Sequence, residues 1–387
     1  MSNVFLILST ILFPNKYTLT YKVFLHSLSK YHLLKKSLFF LFFAIQLVSS
    51  QSIRKYSNEF LNIGVDAAAF GMGKAVVATS NDVNSIYWNP AGLTAIKDYQ
   101  GAIMHAEYFA GIAKYDYVGF AMPIDSRSAL GISLIRFGVD DILNTTELID
   151  NEGNIDYNRI RLFSAADYAL SIAYARELPI QGLNIGVNTK IIRRIIGDFA
   201  TSWGFGFDAS LQFERNNWNF GIMLRDITTT FNSWNIDEDE FEKIKNAIPG
   251  QNQELPESTE ITLPKAQLGV AKKFEITRDF NLLTELDLNL RFTKTNDLIS
   301  TDFVSIDPAF GFQLGYMNTV FLRGGIGNFQ NELQYDASEE LVFQPNFGVG
   351  FKYRGIQIDY ALTNIASIGN ALYSNVFSIK VEFDNFR

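Results

Sequence analysis

Alternation of apolar and polar residues with a period of two runs through this chain and constrains its fold more than any other feature. In the clearest segment, Trp203, Phe205 and Phe207 fall on one face while Asp208 and Ser210 fall on the other. The same division recurs at 285–290, 356–363 and 377–383. This pattern is typical of strands whose two faces meet different environments.

The connections between these strands favour a membrane barrel. Every second connection is a tight turn, such as that at Arg354 and Gly355, whereas most of the others are long, notably 139–165, 227–262, 294–308 and 329–341. Short turns at one end and long loops at the other are typical of outer-membrane barrels, in which a closed ring pairs every backbone group. A soluble sandwich shares the alternation but not this pattern of connections.

We therefore predict an all-β membrane protein, an antiparallel outer-membrane β-barrel of about 14 strands over residues 99–387. The strands are expected near 99–109, 114–123, 128–138, 166–178, 182–193, 201–213, 217–226, 263–274, 280–293, 309–316, 319–328, 342–353, 355–363 and 375–385. Aromatic residues near strand ends are expected at the lipid headgroups. They are Tyr99, Tyr117, Trp218, Tyr316, Tyr353 and Tyr373.

The first fifty residues are expected to be a leader rather than part of the fold. Lys35 and Lys36 precede the apolar run 37–48, and small residues follow it, so 35–50 has the parts of a signal peptide. We expect cleavage after Ser50 and interpret the residues before Lys35 as the product of a misassigned start codon.

Composition excludes several classes of function. Without residues 1–50 the chain has 28 basic and 41 acidic residues, a net charge of −13, which disfavours nucleic acid as a partner. There is no cysteine, and His105 is the only histidine beyond the leader. A catalytic triad, a metal site and a bound cofactor are therefore not expected. We expect His105 to face the lumen or an interface.

A glycine- and alanine-rich stretch, 63–93, lies between the leader and the first strand. We predict that residues 51–98 form an N-terminal segment folded inside the barrel as a hatch. Its candidate residues are Gly71, Gly73, Asn89, Pro90, Ala91 and Gly92. Asn89-Pro90 is interpreted as a rigid exit turn, with Gly92 supplying a left-handed bend. Whether the hatch opens or only plugs the barrel is left open.

Two other motifs bear on function. Gly73-Lys74 resembles the end of a phosphate loop, but Ala68 and Ala75 occupy positions that need glycine and serine or threonine, so no nucleotide site is predicted. In the longest loop, 235–248 has acids first and lysines last, which predicts a helix. That helix would either cap the barrel mouth or bind a partner.

The hatch region also carries a family resemblance. The runs Ile63-Gly64-Val65, Gly71-Met72-Gly73, Asn81-Asp82 and Trp88-Asn89-Pro90-Ala91-Gly92-Leu93 resemble the amino-terminal region of the PorV/PorQ family of Bacteroidetes outer-membrane proteins. That family is similar to FadL-type barrels. The resemblance implies a non-enzymatic role in type IX secretion, with the translocon or attachment complex and exported proteins bearing C-terminal sorting domains as partners. No cargo-binding residue can be transferred from it.

Two functions from different classes follow. The first is a secretion accessory that binds protein through its exterior loops, mainly 139–165 and 227–262, beside outer-membrane lipid. The alternative is a FadL-like channel for small hydrophobic compounds, gated by the hatch. A channel needs an apolar lumen, whereas the predicted inward faces carry Gly, Ser, Asn, Asp and Gln.

Overall fold

The computed structural model describes residues 57–109, 111–149, 152–247, 258–334, 338–363 and 374–383. The predicted leader, including the signal peptide at 35–50, lies outside the described residues, as does Tyr373. Within the described ranges, no helix is long and apolar enough to cross a membrane.

Strands make up most of the described chain. In order they are β1 Gln100–Tyr108, β2 Ala113–Asp125, β3 Ser128–Asn144, β4 Arg161–Glu177, β5 Leu183–Ile196, β6 Ala200–Arg215, β7 Trp218–Arg225, β8 Thr230–Ile236, β9 Thr259–Thr262, β10 Lys265–Glu275, β11 Phe280–Arg291, β12 Ile299–Ser300, β13 Ser305–Tyr316, β14 Val320–Leu333, β15 Glu339–Tyr353, β16 Ile356–Thr363 and β17 Ser374–Glu382.

Antiparallel backbone pairing closes these segments into a ring of fourteen wall strands. The ring closes where β1 lies between β2 and β17, with Ile103 opposite both Val118 and Ile379. β6 pairs with both β7 and β8, so β8 continues the wall position of β7, and β9 likewise continues that of β10. β12 adds only a two-residue pairing to β13. The predicted fourteen-stranded barrel is confirmed.

Short helices occur before β1 and at the ends of the strands where the long loops lie. Among the described residues, two α-helices, α1 Ala67–Gly71 and α2 Ser85–Trp88, precede the barrel, and α3 Glu238–Ala247 follows β8. The same ranges also contain 3₁₀ helices at Glu59–Asn62, Pro90–Ala95 and Tyr157–Arg159. The helix predicted at 235–248 thus begins three residues later, because β8 extends to Ile236.

Most wall strands have an apolar outward face and a buried inward face, as the alternation predicts. On β6, Phe205 and Phe207 are exposed while Asp208 is buried, and on β11 the same holds for Leu286 against Asp287. Tyr99, Trp218, Tyr316 and Tyr353 are exposed near the tight turns, as expected of headgroup aromatics. Tyr117 is an exception, because it points inward and is buried.

The tight turns lie at one end of the barrel, which we take as the periplasmic end, and the longer connections lie at the exterior end. Several predicted loops are shorter than expected. β3 and β4 remain paired up to Asn144 and Arg161, so strand occupies both ends of the predicted loop 139–165. β14 and β15 fill most of 329–341. In these strand ends the backbone hydrogen bonding continues, although the alternation of apolar and polar residues from which the strands were predicted has ended.

Residues 57–98, which we call the N-terminal segment, pack against the inward faces of the wall. Its buried side chains, among them Phe70, Ile86 and Leu93, form one hydrophobic cluster with inward-facing residues such as Tyr115 and Ile135. The segment contacts the wall most closely at inward-facing glycines. These wall glycines are Gly186, Gly221, Gly269, Gly311, Gly325 and Gly348.

A buried ion cluster joins β5 and β6 to the break between β7 and β8. The amine of Lys190 lies 2.8 Å from Asp208 and 2.6 Å from Asp226, and Thr230 donates a hydrogen bond to Asp226. All three charged side chains are buried. At residues 206–208 β6 is paired with β5 but with neither β7 nor β8, so this cluster joins the two sides of the wall there.

We predict that Gly325→Val destabilises the barrel by about 1–3 kcal/mol, because a Cβ at Gly325 would overlap the backbone of Met72 and Gly73. Gly101→Val is the control, since a Cβ there meets only Phe383, at 3.4 Å. The measurement is the free energy of unfolding from urea titration in detergent. Equal losses in the two variants would show that the segment does not rest on this wall.

We predict that Lys190→Met lowers the free energy of unfolding by about 3–5 kcal/mol, because it leaves Asp208 and Asp226 buried without their cation. Lys352→Met provides the matched control. Lys352 also pairs with a carboxylate, Glu382 at 2.8 Å, but both side chains are about one-third exposed, so the expected loss is below about 1 kcal/mol. Similar losses in both titrations would contradict the role assigned to the cluster.

Candidate functional site

The six residues predicted as hatch and exit turn all lie in the N-terminal segment against the inner wall. Gly71 ends α1, where a Cβ would come within 2.9 Å of the backbone of Gly348. Gly73 has a φ of +67°, and a Cβ there would lie 2.8 Å from the amide nitrogen of Ile326. Both positions therefore need glycine for close approach to the wall, and Gly73 also needs it for its backbone conformation.

The predicted exit turn is a short helix with its own cap. Asn89 is extended, with φ −160°, and its side-chain oxygen accepts a hydrogen bond from the Ala91 amide at the start of the 3₁₀ helix Pro90–Ala95. The Asn89 side-chain amide donates to the carbonyls of Val77 and Leu211, at 2.8 and 3.2 Å. The Ala91 amide also donates to Ser210, 2.9 Å away. The turn is thereby fixed to β6.

One detail of that prediction is wrong. Gly92 lies within the 3₁₀ helix and has no left-handed φ. Glycine is required there for a different reason, because a Cβ would lie 2.8 Å from the hydroxyl of Ser85 and would overlap the carbonyl oxygen of Ser80.

Two acidic residues on β11 hold the middle of the segment. Asp287 accepts hydrogen bonds from the backbone amides of Val76 and Val77, at 2.9 and 3.1 Å. Glu285 accepts one from the Ala78 amide at 2.6 Å and another from the Thr79 hydroxyl. Here the segment has no regular secondary structure, so these carboxylates satisfy amides that would otherwise be buried without partners.

A second anchor ties the segment to β17. Asp66 accepts a hydrogen bond from the hydroxyl of Ser378 at 2.9 Å, and Lys380 lies 3.5 Å from Asp66 and 2.7 Å from Asp82. Burial raises the pKa of Asp66, and the charge of Lys380 opposes that rise. One lysine thus bridges two acids of the segment that are sixteen positions apart in the sequence.

The segment separates two cavities. The larger, which we call the vestibule, lies at the exterior end with a volume of about 820 Å³, and its lining includes Asn62, Lys74, Lys265 and Arg291. Burial lowers the pKa of Lys74 to about 8, against the opposing effect of Asp307. A smaller cavity of about 220 Å³ lies on the periplasmic side and is lined by Asp66, Asp82, Arg323 and Lys380, among others. Both linings carry charged side chains.

The exterior ends of β3 and β4, with the connection between them, carry several exposed apolar side chains, which we call the rim patch. Ile149 and Ile155 form an isolated β-bridge near its tip and are each more than half exposed. The patch consists of Leu143, Ile149, Ile155, Tyr157 and Leu162. It lies within the predicted exterior loop 139–165.

The described residues contain no group of three or more metal-ligating side chains. His105 lies on the outer face of β1 rather than in the lumen, with its Nδ1 atom 2.7 Å from Asp116. Among the hydrogen bonds of the described residues, that of His105 is to Asp116, and none joins it to a serine.

Sequence reasoning missed the residues on the wall that hold the segment. The alternation places Glu285 and Asp287 on an inward face, and wall glycines occur at inward positions of β7, β10, β13 and β15. Acidic residues and glycines on the inner face of a barrel strand therefore indicate that another segment of the polypeptide packs against that face. The sequence alone does not predict which part of the N-terminal segment contacts each of these wall residues.

Comparison with known proteins agrees with this architecture. The family model described as type IX secretion system protein PorV matches residues 48–283, more than half of the chain. No match was found among curated proteins.

Several solved structures are similar to this chain. The CymD monoaromatic hydrocarbon channel is 12% identical with a TM-score of 0.50, covering 83% of this chain and 98% of its own. The Pseudomonas putida toluene transporter TodX is 13% identical with a TM-score of 0.50, covering 83% and 99%. A Pseudomonas aeruginosa FadL homologue is 12% identical with a TM-score of 0.48, covering 82% and 98%.

At these identities the structural likeness shows the barrel fold alone, whereas the family match extends over the N-terminal segment and the wall as far as β11. Together they identify an outer-membrane barrel of a protein secretion system. The chain belongs to the PorV family of type IX secretion system proteins.

Proposed function

We propose that this chain is a non-enzymatic accessory of type IX secretion that binds exported proteins at its exterior rim. It would hand them on beside the translocon or the attachment complex. The observation that carries this proposal is the rim patch, since exposed apolar side chains clustered at one end of a barrel are typical of a protein-binding surface. The family match supplies the secretion system in which that surface would act.

We further propose that the N-terminal segment acts as a plug during this function. Gly71, Gly73, Asn89, Pro90, Ala91 and Gly92 would be the residues that keep it seated. Support comes from the direct backbone contacts at the wall glycines and from the anchors on β11 and β17. Releasing the segment would break all of these contacts together.

Export and membrane location complete the proposal. The leader ending at Ser50 would direct the chain across the inner membrane, and the apolar outer face of the barrel would then contact outer-membrane lipid. The outward-facing residues of most strands are large and apolar, as that contact requires.

The alternative is a channel for small hydrophobic compounds, and its support is the fold likeness to hydrocarbon channels. The chemistry of the lumen disfavours it. Lys190, Glu285, Asp287, Arg323 and Asp359 are all buried on inward faces, so a hydrophobic compound would meet charged groups on its way through.

We predict that the tagged full-length chain, purified from native outer membrane, brings with it type IX components or exported proteins with C-terminal sorting domains. Ile149→Ser combined with Ile155→Ser should reduce the amount of co-purified protein about tenfold or more. Two apolar side chains lost from a buried interface cost about 1.5–3 kcal/mol each, and 1.4 kcal/mol corresponds to a factor of ten. Quantitative mass spectrometry gives the readout.

Ile180→Ser is the matched control, because Ile180 is equally exposed but lies in a periplasmic turn. Recovery of no secretion protein by the unaltered chain, with hydrocarbon uptake lost on deletion, would favour the channel. Equal losses in the rim and control variants would remove the rim patch from the proposal.

A further inference from the structure

The outer apolar band of the barrel is not the same height all the way round. On three strands, the first six outward-facing residues counted from the periplasmic turn are all apolar. They run from Phe213 to Trp203 on β6, from Tyr316 to Ile306 on β13 and from Tyr353 to Phe343 on β15. Ten residues at about 3.3 Å each on a strand tilted by about 40° rise about 25 Å, the full height of such a band.

On β2 and β3 the band is shorter. On β2 the apolar outward positions end at Val118, and on β3 they run only from Leu130 to Leu134. On the neighbouring β4 they continue past Leu170 to Tyr168 and Ala166. By the same geometry the bands on β2 and β3 rise about 10–15 Å from the periplasmic turn, roughly half of the full height.

Charged residues occupy the outward positions directly above this short band. We call them the outer-wall charge cluster, and they are linked by ion pairs across β1, β2 and β3. The cluster consists of His105, Glu107, Lys114, Asp116, Arg136 and Asp140.

The ion pairs connect the side chains of the cluster without a gap. His105 lies 2.7 Å from Asp116, Arg136 lies 3.8 Å from Asp116 and 3.1 Å from Asp140, and Lys114 lies 3.9 Å from Asp140. The side chains are between 27% and 58% exposed, so the chain itself leaves them largely uncovered.

Hydrocarbon is an unsuitable neighbour for this surface. A lysine or arginine facing lipid at mid-depth costs about 2–4 kcal/mol, and here several charges occur together where neighbouring strands are still apolar. Lipid headgroups at that depth would in turn contact the apolar upper half of those strands. The cluster also carries three carboxylates against two permanent cations, which disfavours anionic headgroups.

We propose that the outer face of β1–β3 docks a second protein embedded in the same membrane, which offers basic or hydrogen-bond-donating side chains to Glu107, Asp116 and Asp140. A second copy of this chain is a poor occupant, because it would bring six carboxylates against four permanent cations. The inference goes beyond the proposed function, since it depends on the wall and not on the rim patch or on any cargo.

A photo-crosslinking residue at Val118 tests this in living cells, because Val118 is exposed at the lower edge of the cluster. The matched control is Val349 on β15, which is similarly exposed within a full-height band. We expect a discrete adduct with a different protein at Val118, at least about fivefold stronger than at Val349. Adducts with lipid only, adducts with this chain itself, or equal protein adducts at both positions would overturn the proposal.

Charge reversal supplies a second readout on the same crosslink. Glu107→Lys, whose contact with His105 is long at 3.8 Å, should lower the Val118 adduct about fivefold or more while heat-modifiable gel migration stays normal. Glu275→Lys at the exposed periplasmic end of β10 is the control. An undiminished adduct in correctly folded Glu107→Lys would contradict the charge complementarity. Because no cargo is involved, this result is separate from that of the rim-patch experiment.

Discussion

A ring of fourteen strands encloses more space than its own side chains can fill, and this constraint governs the rest of the structure. Barrels of about eight strands are filled by inward side chains alone. Here the N-terminal segment lies inside the ring, and the wall presents glycines so that two backbones can approach closely. Where the segment has irregular structure, Glu285 and Asp287 satisfy its buried amides. The polar groups of the inner face thus include those that bind this segment of the polypeptide.

We propose that the outer surfaces of the molecule carry its function. The vestibule ends on the N-terminal segment, and the anchors at Asp66, Asp82 and Lys380 line the cavity on the periplasmic side. Two surfaces remain whose composition does not fit their surroundings, the apolar rim patch in water and the outer-wall charge cluster at membrane depth. A protein of a secretion system that works by contact with other proteins needs surfaces of this kind. A diffusion channel needs neither.

Much of the fold could be predicted from the sequence, because a barrel strand encodes its two faces in alternate residues. The fourteen wall strands, the tight turns and the inward orientation of Asp208 and Asp287 all follow from that period. The upper ends of β3 and β4 were missed because the ladder continues there without an apolar outer face. The bend assigned to Gly92 was wrong because close packing against Ser80 and Ser85, rather than a left-handed φ, requires that glycine. Contacts between Lys380 and Asp66, 314 positions apart, are set by barrel closure and have no local signal.

An engineered disulfide can show whether the N-terminal segment rests on the wall glycines inside the barrel. A Cβ placed at Gly269 would lie 3.2 Å from that of Ala78, close to the separation of about 3.5–4.5 Å found in disulfides, and the chain has no cysteine of its own. Ala78→Cys with Gly269→Cys should form an intramolecular disulfide in native membranes. Ala78→Cys with Leu268→Cys, which faces outward on the same strand, should not. A disulfide in neither pair, or in both, would contradict the account.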